Sequence, residues 1–125
     1  MKKIISTDLA PAAIGPYSQG VAAEPFIFTS GQIPIDPTCG KITAETIEAQ
    51  SEQVMKNLKA ILAEAGVGMD RIVKTTCFLA DMADFAAFNA VYSKYFPENP
   101  PARSCFQVAA LPMGAKVEVE CIAVR

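Results

Sequence analysis

Arginine, carboxylates and tyrosine hydroxyls are the groups through which this chain can do chemistry, because it has no histidine at all. That absence removes Ser–His and Cys–His nucleophilic systems and the usual zinc and iron ligand sets. A general base must then be Glu, Asp, Tyr, Lys or Cys. Arg71, Arg103 and Arg125 are the arginines. Arg71 stands in a polar turn and Arg125 is the last residue, so both read as solvated. Arg103 differs: Pro100-Pro101-Ala102 fixes its entry, and the apolar run Ser104-Cys105-Phe106-Gln107-Val108 follows at once. A guanidinium at the rim of an apolar strand suits bidentate capture of a carboxylate. The plainer alternative is an edge arginine in a salt bridge.

Glu118 and Glu120 alternate with Val117 and Val119, and the period of two puts both carboxylates on one strand face. Either one of them directs or deprotonates a water, or both decorate an exposed strand. Tyr17 follows Gly15-Pro16, so its hydroxyl is set to meet a ligand or to anchor a loop. Gly31, in Ser30-Gly31-Gln32, interrupts a strand-like run, which marks either the approach of backbone to a ligand or a bulge.

These groups need positioning elements. Extended runs are expected at Gln19–Ala23 and Phe26–Ile33, with Glu24-Pro25 as the turn between them. From Ala44 to Ala65, apolar residues at Ile47, Val54, Leu58, Ile61, Leu62 and Ala65 form one helical stripe, and Gly66 ends it. Ile72–Ala80 reads as a strand. Asp84 is expected to cap a second helix with Phe85, Phe88, Val91, Tyr92 and Tyr95 on one side. Strands follow at Arg103–Ala110 and Lys116–Val124. Two helices can cover only one face of such a six-stranded sheet. In the last strand Val117, Val119, Cys121 and Ala123 belong under the helices, while the opposite side is polar at one end and apolar at the other. A solvated face would be polar throughout. Neighbouring subunits are therefore expected to cover it, leaving a charged pocket at the polar end.

The 125 residues fit one domain, 1–125. With 51% hydrophobic and 19% charged residues the chain is globular. A net charge of −2 with no basic run beyond Lys2-Lys3 argues against nucleic acid as a partner. None of the four cysteines lies in a C-x-x-C pair, and buried reduced thiols are expected at Cys77 and Cys121. No nucleotide-binding glycine motif occurs. The Met1–Ile5 run turns polar at Ser6 without a signal-like or membrane-spanning stretch, so a cytoplasmic protein is expected.

Taken together and in order, several segments resemble the reactive intermediate deaminase family, the YjgF-type proteins. They are Pro11-Ala12-Ala13-Ile14-Gly15-Pro16-Tyr17-Ser18-Gln19, Thr29-Ser30-Gly31-Gln32-Ile33, Ile72-Val73-Lys74-Thr75-Thr76, Pro101-Ala102-Arg103-Ser104-Cys105, Leu111-Pro112 and Val117-Glu118-Val119-Glu120-Cys121-Ile122-Ala123. The resemblance implies an α+β, chorismate-mutase-like fold, assembled as a homotrimer around a central barrel with clefts at the subunit interfaces. It implies a cofactor-free, metal-free deaminase that hydrolyses 2-iminobutanoate and 2-iminopropanoate to 2-keto acid and ammonia. Arg103 would grip the carboxylate and Glu118 would direct water, with Glu120 as its same-face neighbour. The Tyr17 hydroxyl and backbone groups of Gly31 and Cys105 would complete the site, Ser30 would line it, and Asn89 and Phe85 would shape it. Cys121 stands where alanine is frequent in the family, and Phe106-Gln107 replaces a Val-Glu type pair; neither departure touches the groups assigned catalytic roles. The alternative activity is a module that binds 2-keto acids or similar metabolites without turnover. Family members described as ribonucleases are a further possibility, which the charge and the missing histidine disfavour.

Overall fold

The computed structural model describes residues 1–125. Strands β1 (Lys3–Ile5), β2 (Gly20–Ala23) and β3 (Phe26–Thr29) precede helix α1 (Ile47–Glu64). Strand β4 (Ile72–Leu79), helix α2 (Phe85–Tyr95) and strands β5 (Ala102–Gln107) and β6 (Val117–Val124) follow. The strands form one mixed sheet in the order β1-β2-β3-β6-β4-β5. All pairings are antiparallel except β4 with β5, and α2 is the crossover that a parallel pair requires.

The expected alternation of β6 holds: Val117, Val119, Cys121 and Ala123 are buried in the main core. They meet the stripe of α1, where Val54, Leu58, Ile61 and Leu62 are fully enclosed, and Phe88 and Tyr92 of α2. Both helices thus lie on one side of the sheet. On the other side Phe26, Phe28 and Phe106 are each more than 40% exposed. No helix is long and apolar enough to cross a membrane.

Several boundaries differ from the sequence reading, each for a local reason. Thr46 caps α1 by accepting the Ala49 N–H at 3.1 Å, so the helix starts later than Ala44. Gly66 takes a φ of 84° and terminates it. Asp84 precedes α2 without a side-chain cap; Asp81 instead accepts the Ala83 N–H and caps the short 3-10 turn before it. Strand β3 stops at Thr29, and the chain re-enters the sheet only where Gln32 exchanges two backbone bonds with Val119. Strand β5 ends at Gln107 rather than at Ala110. Arg125, read as solvated, forms a bidentate pair with Glu24 (2.7 and 3.1 Å).

Helix α1 also carries buried amides on its inner side. Asn57 donates to the carbonyls of Ile33 (3.2 Å) and Ile35 (3.0 Å) and accepts from Gln53 (2.8 Å). Gln50 donates to Ala44 O and accepts the Lys116 N–H. These bonds fasten the irregular stretch after β3, and the chain leading into β6, to the helix. An apolar side chain at position 57 orphans the buried Ile35 carbonyl and leaves Ile33 O with only the Ile35 N–H, so Asn57→Leu is expected to cost about 1–3 kcal/mol. Urea denaturation, with unchanged far-UV dichroism in water, checks it.

Candidate functional site

The sequence-nominated residues gather at two places on opposite faces of the sheet. The first is a cavity of about 370 Å³ at the end of the sheet where β6 begins. Tyr17, Ser30, Gly31 and Glu118 all line it. Apolar wall comes from Pro11, Ala12 and Ile14 on one side and from Ile33, Ile35 and Pro112 on the other.

Glu118 reaches this cavity because β6 alternates: Val117 and Val119 point into the core, so Glu118 points away from it. The half-buried carboxyl lies against the backbone of Gly31. A Cβ at position 31 would stand 2.9 Å from Glu118 Cδ and overlap Oε2. Gly31 does not lie among the positive-φ glycines, so space rather than backbone conformation demands glycine there. Burial raises the pKa of Glu118, and the charge of Glu120 adds to the rise. Glu120 itself is exposed, lies beside Thr76 on the same open face, and does not line the cavity.

Tyr17 is held from two directions. Its backbone N–H donates to Gly15 O at 2.8 Å, and its hydroxyl oxygen accepts the Ile14 N–H at 3.2 Å. The hydroxyl proton stays available to a further acceptor. Ser30 spends its own hydroxyl on Ser18 O at 2.5 Å, so its side chain braces the cavity.

The second place is built around Arg103. In register, Arg103 stands beside Thr75 and Cys105 beside Cys77, and both of those partners are buried under the helices. Arg103 and Cys105 therefore face α2, opposite to Glu118. The guanidinium carbon lies 4.8 Å from the ring centroid of Tyr92, 5.6 Å from Phe85 and 5.9 Å from Phe88, within cation–π range. One N–H donates to Asn89 Oδ1 at 2.8 Å. No carboxylate pairs with Arg103, which excludes the salt-bridged edge arginine within the chain. A guanidinium has five N–H donors, so most remain for a ligand. A shallow cavity of about 320 Å³ adjoins it, between Asn89 and Tyr92 of α2 and Pro100-Pro101. Burial raises the Cys105 thiol pKa, and the Arg103 charge pulls it partly back; Cys77 is pushed up to about 12 by burial. Neither thiol is primed as a thiolate.

Sequence reasoning assigned Tyr92 only to the apolar side of α2. It is the platform under Arg103, its hydroxyl 2.7 Å from Thr75 Oγ1 in the core. The spacing 85, 88, 89, 92 puts Phe85, Phe88, Asn89 and Tyr92 on one helix face, a signal present in the sequence once Asn89 and Phe85 are nominated. Gln19, Ile14 and Pro112 lie in the family-like segments but were not nominated, because nothing in their residue types points to a site.

Because the native pKa of Glu118 lies above its unfolded value, the native state binds that proton more tightly. Stability from this group is complete below the ordinary carboxylate range and declines as pH rises through the native value. Glu118→Gln stays neutral and escapes that decline. Its melting temperature relative to the unmodified protein is therefore expected to be higher at pH 7 than at pH 4, as paired thermal melts would read.

The family model described as Endoribonuclease L-PSP matches residues 7–125. The protein named 2-iminobutanoate/2-iminopropanoate deaminase in Salmonella typhimurium is 52% identical over 128 residues, covering all of this chain and 99% of the relative. Reactive Intermediate Deaminase A, chloroplastic, of Arabidopsis thaliana is 52% identical over 122 residues, 98% of this chain; the match spans 65% of the plant protein's length. The crystal structure of Escherichia coli TdcF with bound serine superposes with a TM-score of 0.94 at 48% identity, covering 98% of each chain. The α+β sheet with two helices is thus a family architecture, and the chain belongs to the Endoribonuclease L-PSP, or YjgF-type, family.

Proposed function

We propose that this protein hydrolyses 2-iminobutanoate and 2-iminopropanoate to the 2-keto acid and ammonia, with each site made by two copies of the chain. The observation that carries the chemistry is the glycine-backed Glu118 carboxyl, raised in pKa inside a cavity it shares with Tyr17. Relatives named as deaminases of these imines support the substrate class.

An imine carbon is already electrophilic, so the reaction needs orientation, a directed water and proton transfer. Arg103 grips the substrate carboxylate with the N–H groups not engaged by Asn89, and the Phe85–Tyr92 face keeps the guanidinium from rotating. Backbone groups of Gly31 and Cys105 complete the pocket. The Glu118 carboxylate takes a proton from water as the water oxygen bonds to the carbon of the protonated imine, whose C=N electron pair moves onto nitrogen to leave a neutral amine. Glu118 passes the proton it took to the amine nitrogen of the resulting carbinolamine, which then collapses. The hydroxyl proton goes to the Glu118 carboxylate as the C=O bond forms and the C–N bond breaks, ammonia leaves, and Glu118 releases the remaining proton to solvent. A carboxylate of raised pKa is a stronger base than an ordinary one. The Tyr17 hydroxyl donates to oxygen or nitrogen during the collapse. No cofactor enters this sequence of steps.

Arg103 and Glu118 face opposite sides of one sheet, so a single chain does not bring them to one substrate. The proposal unites them across a head-to-tail contact, Arg103 of one copy entering the Glu118 cavity of the next. Such contacts close into rings, and a trimer with three clefts and the exposed phenylalanine-bearing face turned inward satisfies them.

Arg103→Ala and Glu118→Gln are each expected to lower kcat/KM by roughly a hundredfold or more. The assay is keto-acid release from freshly generated imine. Gly31→Ala, which pushes the Glu118 carboxyl aside, should lower kcat by on the order of tenfold while the carboxylate-binding group stays intact. Co-refolding Arg103→Ala with Glu118→Gln in equal amounts should restore about one quarter of the activity, because random assembly leaves that share of interfaces with both residues intact. No recovery in mixed oligomers would refute the shared site. Absence of hydrolysis by the unmodified protein would leave a metabolite-binding module in its place.

A further inference from the structure

The wall of the Glu118 cavity that bears Tyr17 belongs to residues 6–18, a stretch with no regular secondary structure. Within it, the only backbone–backbone hydrogen bond outside regular elements runs from Tyr17 N to Gly15 O. Two more bonds are internal, Leu9 N to Thr7 Oγ1 and Ile14 N to Tyr17 Oη. Residues 7–17 are hydrogen-bonded to the rest of the chain by one side chain, while Ala10 is buried in the main core and the next residue, Ser18, accepts the Ser30 hydroxyl through its carbonyl. Gln19, 5% exposed, accepts the Thr7 N–H at 2.7 Å and donates to Thr7 O at 3.0 Å. It also donates to Ala10 O at 3.2 Å and Pro11 O at 2.7 Å. The two amide protons are thus shared among three carbonyls, and Pro11 begins the cavity wall. The backbone of Gln19 is fastened in turn: its carbonyl accepts the Ser30 N–H at 2.9 Å. Ser30 precedes Gly31, the residue against which Glu118 lies.

We infer that Gln19 is a positioning residue, which ties the Tyr17-bearing loop to the Ser30-Gly31 turn and so sets the Tyr17 hydroxyl in register with the Glu118 carboxyl. Its kinetic consequence rests on the deaminase reading above; its effect on the loop does not. Only an amide serves at this position. A carboxylate accepts the Thr7 N–H but has no proton for the three carbonyls, and an apolar side chain of equal length satisfies none of the four groups. Gln19 contacts no substrate and acts through the loop.

The test compares Gln19→Met, near in shape, with Gln19→Glu, which keeps only the acceptor; either serves if the other fails to fold. Hydrogen exchange is measured at the hydrogen-bonded amides of Leu9, Ile14 and Tyr17, with β6 as the internal reference. Exchange in the loop is expected to rise about tenfold or more while β6 is unchanged. Keto-acid release is then measured for Gln19→Met alone and in a Tyr17→Phe background, which retains Arg103 and Glu118. The expected fall in kcat/KM is roughly tenfold in the first case and less than about twofold in the second, because a residue acting through Tyr17 has little left to lose once that hydroxyl is gone. Unchanged loop exchange would overturn the inference, and so would equal losses in both backgrounds, which signify general loss of folded protein. If the unmodified protein hydrolyses no imine, the deaminase reading falls by that result alone, and the exchange measurement still decides whether Gln19 holds the wall.

Discussion

Strand β6 is hydrogen-bonded on both sides, to β3 and to β4, and its two-residue alternation constrains nearly everything else. One set of side chains closes the core beneath both helices. The other set, beginning with Glu118, cannot be buried there without destroying that core. A slip of one residue would exchange the two sets, placing Glu118 and Glu120 under α1 at a cost of several kcal/mol per unpaired charge. The register is therefore secured by the apolar residues, and the carboxylate's position follows from theirs. Glu118 needs no dedicated hydrogen-bond partner to hold its strand position; only its rotamer depends on local detail, and Gly31 supplies the room.

The same alternation, carried through β4 into β5, puts Arg103 on the helix side. Its aromatic bed is continuous with the core: Tyr92 lies 5.5 Å from Phe88 and 4.8 Å from Phe96, ring to ring. Strand β5 is an edge strand, so backbone groups beside Arg103 face away from the sheet. A positive group on an open edge and a carboxyl in a glycine-backed cavity are complementary surfaces separated by the thickness of the sheet. That separation is what makes a second copy necessary to the proposed chemistry, and it gives the open face with Phe26, Phe28 and Phe106 a reason to be apolar.

Much of this was legible in the sequence because it is periodic. The α1 stripe and the β6 alternation carry repeating signals, and they gave the layer order and the burial of Val117, Val119, Cys121 and Ala123 correctly. Termini were less legible. The expected strand Phe26–Ile33 ends at Thr29 because Gly31 and its neighbours turn aside for Glu118, a reason located 87 residues further on. Asp84 looked like a cap because of its type, yet the chain makes a 3-10 turn first and Asp81 takes that role. Of the nominated site residues, Tyr17, Ser30, Gly31 and Glu118 share a cavity, and Arg103, Asn89 and Phe85 share another place. The nomination of these residues for one site came from the family resemblance, since no local spacing links Tyr17 to Glu118; their division between two places is seen only in the structure. Tyr92 and Gln19 were given no site role because a buried aromatic and a buried amide have the same local signature whether or not a site lies beside them.

The buried amides follow from how the cavity is made. Its carboxyl comes from a strand, but its walls come from irregular segments at residues 11–17 and 30–35. Irregular backbone cannot satisfy its own carbonyls by a repeating ladder, and each buried one left unpaired is costly. Side chains from regular elements must supply the missing donors. Gln19 at the mouth of β2, and Gln50 and Asn57 on α1, do so for carbonyls of residues 7, 10, 11, 33, 35 and 44. A primary amide suits the task because it offers two donors and an acceptor without charge, so it satisfies the loops at little electrostatic expense in the core. Charged side chains there would perturb the Glu118 carboxyl, whose basicity depends on an apolar surround. An apolar cavity with irregular walls and a single raised carboxyl therefore calls for neutral amides behind the walls, and four of the six buried polar residues, Gln19, Gln32, Gln50 and Asn57, are primary amides.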